Sequence, residues 1–341
     1  MSKNETQRAK IFSVDQAQSY LDNIQIDNED LLRICDSIIN SESIYGSSSD
    51  YHNLAVSVAR KGFYLQAFTV VQKGLKLYPY NIDLLADAVY YGSSAGKFSE
   101  CEEYAKILLS RPLALWNWRA YTFMIDYYMD KTDWLTTNDE ILASLASALA
   151  LSQKAQNILA TEERGYLAEY KVHEVLERWY RELSSDCTGD KHADYLKQAE
   201  QEHAMANEIL LKAIDNNHIA AVQCCLRYAD LQFETQNYQE TIRICEKAFC
   251  YGESQPSAKM GYFLYLAALS MDVLIHQDNA FDDTERVNNC YRMYHEANKT
   301  LDADRAVYRS NINLRVSELE ARTGISSGLI SDSDTFRDLL N

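Results

Sequence analysis

The sequence predicts an all-α protein built from antiparallel helix pairs, and three observations predict it. Only 3 prolines and 11 glycines interrupt 341 residues, and both residue types weaken helix interiors. Apolar residues recur at helical spacing through most of the chain, whereas short alternating β-branched runs are few. The punctuation of one stretch, Tyr51 to Asn81, returns 34 residues later: Gly62 becomes Gly96, Tyr64 becomes Phe98 and Leu75 becomes Leu109. A chain of this length exceeds the ~250–300 residues at which single cores split, unless it grows by stacking repeats.

Residues 1–13 are polar. A short helix is expected near 14–24 and another near 28–41, the second with Asp27 as N-cap and Asn28, Glu29 and Asp30 in its first turn. Leu31, Leu32, Ile34, Cys35, Ile38 and Ile39 give that helix its apolar stripe. Ser43 to Asp50 reads as a loop whose last residue caps the next helix. That helix, about 51–61, carries Leu54, Ala55, Val58 and Ala59, and its partner, about 64–78, carries Ala67, Val70, Val71, Gly74 and Leu75. Gly62 suits the turn between them, because a residue without Cβ enters the left-handed region at least cost. Small residues at 55, 67 and 74 let the two helices approach closely. Pro79 stops the second helix, and Asn81 can cap the one after it.

In this stretch Tyr51, Leu54, Ala55, Val58, Gly62, Tyr64, Ala67, Val71, Gly74 and Pro79 fill a 34-residue pattern that resembles the tetratricopeptide repeat. A looser second copy reads Leu85, Ala88, Gly92, Gly96, Phe98, Cys101, Ala105 and Leu108, with Pro112 one residue early. The resemblance implies a right-handed α-solenoid, a superhelix of antiparallel helix pairs. A third copy begins with Trp118, Tyr121, Thr122 and Ile125. It then departs into the connection DKTDWLTTN and three long helices, about 138–158, 161–184 (capped by Thr161) and 190–215.

The pattern returns near 222 with Tyr228, Ala229, Gln232, Asn237, Tyr238, Cys245, Ala248 and Phe249. Gln236 stands there in place of the turn glycine, and Pro256 closes the unit late. Helices over about 257–276, 284–299 and 303–323 follow, the last ending at Gly324. The expected organisation is a helical cap over 1–50, repeats over 51–131, long non-repeat helices over 132–217, C-terminal repeats with a capping helix over 218–324, and a flexible tail over 325–341.

In repeats of this kind one face of each first helix lines the concave side. The resemblance places His52, Val56 and Ala59 there from the first unit, Asp83, Ala86, Tyr90 and Ser93 from the second, and Trp116, Arg119, Phe123 and Asp126 from the third. The expected groove is therefore His52, Val56, Tyr90, Trp116, Arg119 and Phe123. It is apolar and aromatic with one cation, a composition suited to an apolar-anchored peptide. The alternative is that Trp116, Tyr90 and Phe123 fill space beneath the long middle helices. His52, Val56 and Ala86 stand where a carboxylate clamp would need lysine and asparagine, so that clamp is not present in its usual form. Gly62, Tyr64, Ala67, Pro79, Gly96, Phe98, Tyr238 and Ala248 are read as structural.

Several function classes are disfavoured. No window of about 20 apolar residues marks a membrane span, and the N-terminus lacks the apolar core of a signal peptide, so a cytoplasmic setting is expected. The eight cysteines form no CxxC or zinc spacing. Tyr166, Tyr170, His173 and Tyr180 share a helix face that reads as packing, and the acidic HQDNAFDDTE loop misses the calcium register. No phosphate loop, nucleophile elbow or HExxH is present, so no catalytic residue, cofactor or metal is expected.

A net charge of −17 disfavours nucleic acid. Residues 51–131 hold nine Lys or Arg against seven Asp or Glu, net +2, which leaves −19 for the rest. That contrast reads either as chance with solvated faces or as a preference of this segment for an acidic ligand. The functional expectation is a protein- or peptide-binding scaffold, with self-association possible. The alternatives are a peptide-sensing regulator of the same repeat class, or an enzyme whose site is assembled from distant residues.

Overall fold

The computed structural model describes residues 13–17, 28–41, 45–252, 260–301 and 306–327. Asp27, Pro256, residues 18–24 and all of the tail beyond 327 lie outside the described residues. The fold is all-α: fourteen α-helices account for nearly all of the described structure, with one isolated bridge between Ser13 and Tyr45. The chain divides into two compact units, Met1–Ile158 and Leu159–Asn341. The division falls inside the stretch expected as one block of long helices, so the first long helix sits in the first unit and the other two in the second.

The first unit contains α1 (Asn28–Asn40), α2 (Ser48–Ala59), α3 (Tyr64–Leu77), α4 (Ile82–Ser94), α5 (Phe98–Leu109), α6 (Trp118–Asp130) and α7 (Asn138–Ile158). Helices pack in sequential pairs, and the first helices of successive pairs, α2, α4 and α6, also pack on one another. The start of α2 differs from expectation. Ser47 is its N-cap, and Asp50 completes a capping box by accepting from the Ser47 backbone at 2.6 Å. Glycines place the close approaches. A Cβ on Gly74 of α3 would lie 2.9 Å from Tyr51 Cβ on α2 and 3.1 Å from Leu84 on α4, so this one residue lets three helices meet. The DKTDWLTTN connection opens with a 3-10 turn, Lys131–Trp134, whose Trp134 ring stacks on Phe98.

The second unit contains α8 (Glu163–Ser185), α9 (Asp190–Asp215), α10 (Val222–Glu234), α11 (Tyr238–Gly252), α12 (Met260–Gln277), α13 (Thr284–Thr300) and α14 (Ala306–Thr323). Helices α8 and α9 form a long hairpin. Thr161 does not cap α8: the N-cap is Glu162, with no side-chain cap, and Glu163 turns away to accept from the backbone amides of Gln223 and Cys224 at the start of α10. Tyr166, Tyr170 and His173 are buried on the inner face of α8, and Tyr180 is half-buried. A contiguous apolar core runs from α8 to α14, including Ile244, Cys245, Ala248, Phe263 and Tyr294.

One turn recurs through both units. Gly62 (φ 87), Gly96 (φ 71), Gln236 (φ 63) and Asn279 (φ 52) are all left-handed. After each, the next amide donates to a carbonyl five residues back: Phe63 to Val58, Lys97 to Gly92, Asn237 to Gln232 and Ala280 to Ile275. This is the six-to-one closure that ends a helix on a left-handed residue. The fourth instance lies in the HQDNAFDDTE loop, whose sequence alone reads as a solvated helix start. Asp283 in that loop does cap α13, accepting from the Arg286 amide at 3.1 Å.

Candidate partner-binding face

The face is built on α2, α4 and α6. Asn81 caps α4 by accepting from the Leu84 amide at 3.0 Å, and Asn117 caps α6 by accepting from the Ala120 amide at 3.1 Å. The Asn117 side-chain amide also donates to Asp83 at 2.6 Å, which fixes the register of α6 against α4. One turn further along α4, Asp87 is fully buried and joins all three helices. His52 Nδ1 of α2 lies 2.5 Å from Asp87 Oδ2, and Arg119 Nη2 of α6 donates to Asp87 Oδ1 at 2.7 Å. A buried carboxylate is tolerated only when paired in this manner.

Beyond this polar tie lies an aromatic step. Tyr90 stacks on Phe123, with centroids 4.3 Å apart and planes at 13°. Tyr64 meets Tyr90 edge-on at 6.4 Å. The Arg119 guanidinium stands 5.1 Å from the Phe123 centroid and 5.8 Å from that of Trp118. The Tyr90 hydroxyl is held above the ordinary tyrosine range by burial first, then by Tyr64, Asp126 and Asp130. Tyr91, beneath, is pushed further up by burial and Asp87, with Arg119 opposing. Ser93 donates to Asp130 at 3.2 Å and closes the far end.

Of the expected groove residues, the structure groups His52, Tyr90, Arg119 and Phe123 on this face. Val56 is half-buried one turn after His52. Trp116 is the correction: it is 5 % exposed and packs on Tyr121 at 5.2 Å, so it is core, while its neighbour Trp118 is the half-exposed indole near Arg119. Arg119 is also not a spare cation, since Asp87 holds it. Sequence reasoning misses Asp87. Its signals are an acid amid apolar residues in the middle of α4, with His52 and Arg119 at repeat-like separations.

The residues read as structural take such places. Ala67 and Ala248 are buried, Tyr64, Phe98 and Tyr238 open the second helices of their pairs, and Pro79 follows the end of α3. Among the described residues no group of three or more His, Cys, Asp or Glu is arranged to hold a metal.

The second unit has its own buried acid. Asp272 on α12 is 1 % exposed. It accepts from the Tyr294 hydroxyl at 3.1 Å and lies 3.9 Å from Arg315, while His276 sits 3.0 Å from Oδ1 without completing a hydrogen bond to it. Burial raises its carboxyl above the usual range, opposed by His276, Arg315 and Tyr294.

No protein-family model and no curated protein matches the sequence. Among solved structures, a thermophilic tetratricopeptide-repeat protein of Thermus thermophilus, TTC0263, is similar at 16 % identity and TM-score 0.44, over 62 % of this chain and 93 % of that one. The human IFIT1 dimer with m7Gppp-AAAA is similar at 14 % identity and TM-score 0.37, over 91 % of this chain and 70 % of that one. A monomeric IFIT1 mutant, also with m7Gppp-AAAA, gives 13 % identity and TM-score 0.38 over 90 % and 70 %. By its own helix pairs and its four repeated turns, the chain is an all-α helical-repeat protein whose fold resembles that of tetratricopeptide repeats.

Proposed function

We propose that the protein is a non-enzymatic binding scaffold that takes a protein or peptide segment on the α2–α4–α6 face. The observation that carries this reading is the Tyr90–Phe123 stack, a half-buried aromatic step flanked by Arg119 on helices locked in register by Asp83, Asp87 and Asn117. Aromatic and arginine side chains on a rigid face are the usual anchors of an interface, and helix grooves accept apolar side chains of an incoming segment. The acidic lining disfavours a polyanion such as nucleic acid. The proposed setting is the cytoplasm: all eight cysteines are free and six are buried, which suits a reducing compartment. Among the described residues no helix is long and apolar enough to cross a membrane.

The test places a photocrosslinking p-benzoylphenylalanine at Val56 on the face, or at Lys76 on α3 as control, in the native cell. A protein partner crosslinked from Val56 but not from Lys76 is the expected result. Equal labelling from both positions, or none from Val56, overturns the assignment.

A further inference from the structure

Charge in the first unit is sorted by helix in a way the segment total hides. The stretch 51–131 is net +2, yet of its nine basic residues only Arg119 lies within α2, α4 or α6. Most of the others have partners or places elsewhere. Lys73 donates to the Ile38 and Ser41 carbonyls at the end of α1. Lys106 and Lys131 pair with Glu102 of α5. Arg111 lies over Tyr80. Arg60 follows the end of α2 as its C-cap, and Lys97 precedes α5.

The acids are distributed differently: of the seven in the stretch, Asp83, Asp87, Asp126 and Asp130 stand on α4 and α6, and Glu100, Glu102 and Glu103 on α5. On α6 the order Arg119, Phe123, Asp126, Asp130 follows spacings of 4, 3 and 4, one continuous stripe. On α4 Asp83, Asp87 and Tyr90 do the same. Four carboxylates against one guanidinium make the face net −3 with His52 neutral, the opposite sign to its segment. On this face the sign of charge is the one that suits a cationic and not an acidic ligand.

We infer that the occupant of this face is a cationic protein segment whose arginine or lysine side chains lie against the Tyr90–Phe123 rings and meet Asp126 and Asp130. The inference rests on the proposed binding role of the face and names the class of partner. Arg119 already displays the mode of binding, with its guanidinium shared between a carboxylate at 2.7 Å and an aromatic ring at 5.1 Å. A face of one sign bordered by aromatics selects its partner through charge complementarity and speeds encounter with it.

The experiment measures fluorescence polarisation of the full chain with three labelled 12-residue peptides, repeats of Ala-Leu-Arg, Ala-Leu-Gln and Ala-Leu-Glu. The arginine peptide is expected to bind at least tenfold tighter than the glutamine peptide and to weaken as salt rises. Asp126→Asn with Asp130→Asn is expected to reduce that binding at least tenfold. Phe123→Leu, which leaves every carboxylate in place, is expected to reduce it about fivefold. Circular dichroism confirms that each variant is folded.

Equal binding of the arginine and glutamine peptides overturns the charge inference and leaves the face as a peptide site. Arginine-peptide binding untouched by both variants is diffuse attraction to a chain of net −17 and overturns it as well. If no peptide binds while Val56 still crosslinks a native partner, the cationic occupant is wrong and the scaffold role stands. If both fail, both readings fall.

Discussion

Replacing Asp87 by alanine tests whether the polar tie across α2, α4 and α6 carries the first unit's register. The carboxylate is fully buried, and its two partners, His52 and Arg119, are each 18 % exposed. Removing one member of a buried pair costs about 3–5 kcal/mol, because the remaining charge is left without compensation. Here both partners retain some access to water, so the lower end applies, about 3 kcal/mol. Asp87→Asn keeps an acceptor and should lose about half as much.

For a unit of this size ~1 kcal/mol moves the melting temperature by about 2–4 °C, so Asp87→Ala is expected to lower the first unit's calorimetric transition by roughly 6–12 °C. A double-mutant cycle with Arg119→Gln should show coupling of at least ~1 kcal/mol. Replacing the pair together by Asp87→Leu and Arg119→Met should recover most of the loss, since an apolar pair of similar volume avoids the desolvation cost. A loss below ~1 kcal/mol for Asp87→Ala, or strict additivity with Arg119→Gln, would refute the argument that this contact fixes the helices.

Three further outcomes follow from the same geometry. Gly74→Ala forces a methyl to within 2.9 Å of Tyr51 Cβ and is expected to destabilise the first unit by about 1–3 kcal/mol in urea unfolding. Gln236→Gly is expected to do the reverse for the second unit, gaining up to ~1 kcal/mol because φ 63 strains a side chain and not a glycine. Asp272→Asn is expected to raise second-unit stability at pH 7. Burial raises the Asp272 carboxyl, so its folded-state contribution is present below the ordinary value of 3.8 and is lost as pH rises through the raised one. The advantage of asparagine should therefore shrink to nothing on acidification below about pH 4, and a gap independent of pH would contradict it.

The fold is legible where elementary signals are strong. Helices at 138–158 and 190–215 match their expected bounds, because polar loops with Thr137 and Gly189 set their ends. Gln236 is recognisable as a stand-in for glycine, because Asn237 and Tyr238 keep the repeat's register. Asn279 is not, because it lies 43 positions after Gln236: α12 is longer than the first helix of a 34-residue unit, and the period is lost. Caps are less readable. Ser47 and Asp50 share the work at α2, and choosing the acid alone ignores that an N3 acid reaches back to its own cap. At the face, Trp116 and Trp118 differ by two residues on either side of a helix start, and periodicity cannot decide which one turns inward there. The partnership of His52, Asp87 and Arg119 spans three helices and is visible only once α2, α4 and α6 lie side by side.

The left-handed turns and the Asp83–Asn117 and Asp87–Arg119 contacts divide the shaping of the first unit between two kinds of bond. The turn inside a helix pair is closed by main-chain hydrogen bonds, so Gly, Gln and Asn all serve along the chain, glycine with the least strain. The angle from one pair to the next is set by side chains. The spacing of α2, α4 and α6 is thus a tunable trait. A substitution at Asp83, Asp87, Asn117 or Gly74 can shift one helix against the next while the main-chain turns that close each pair stay the same.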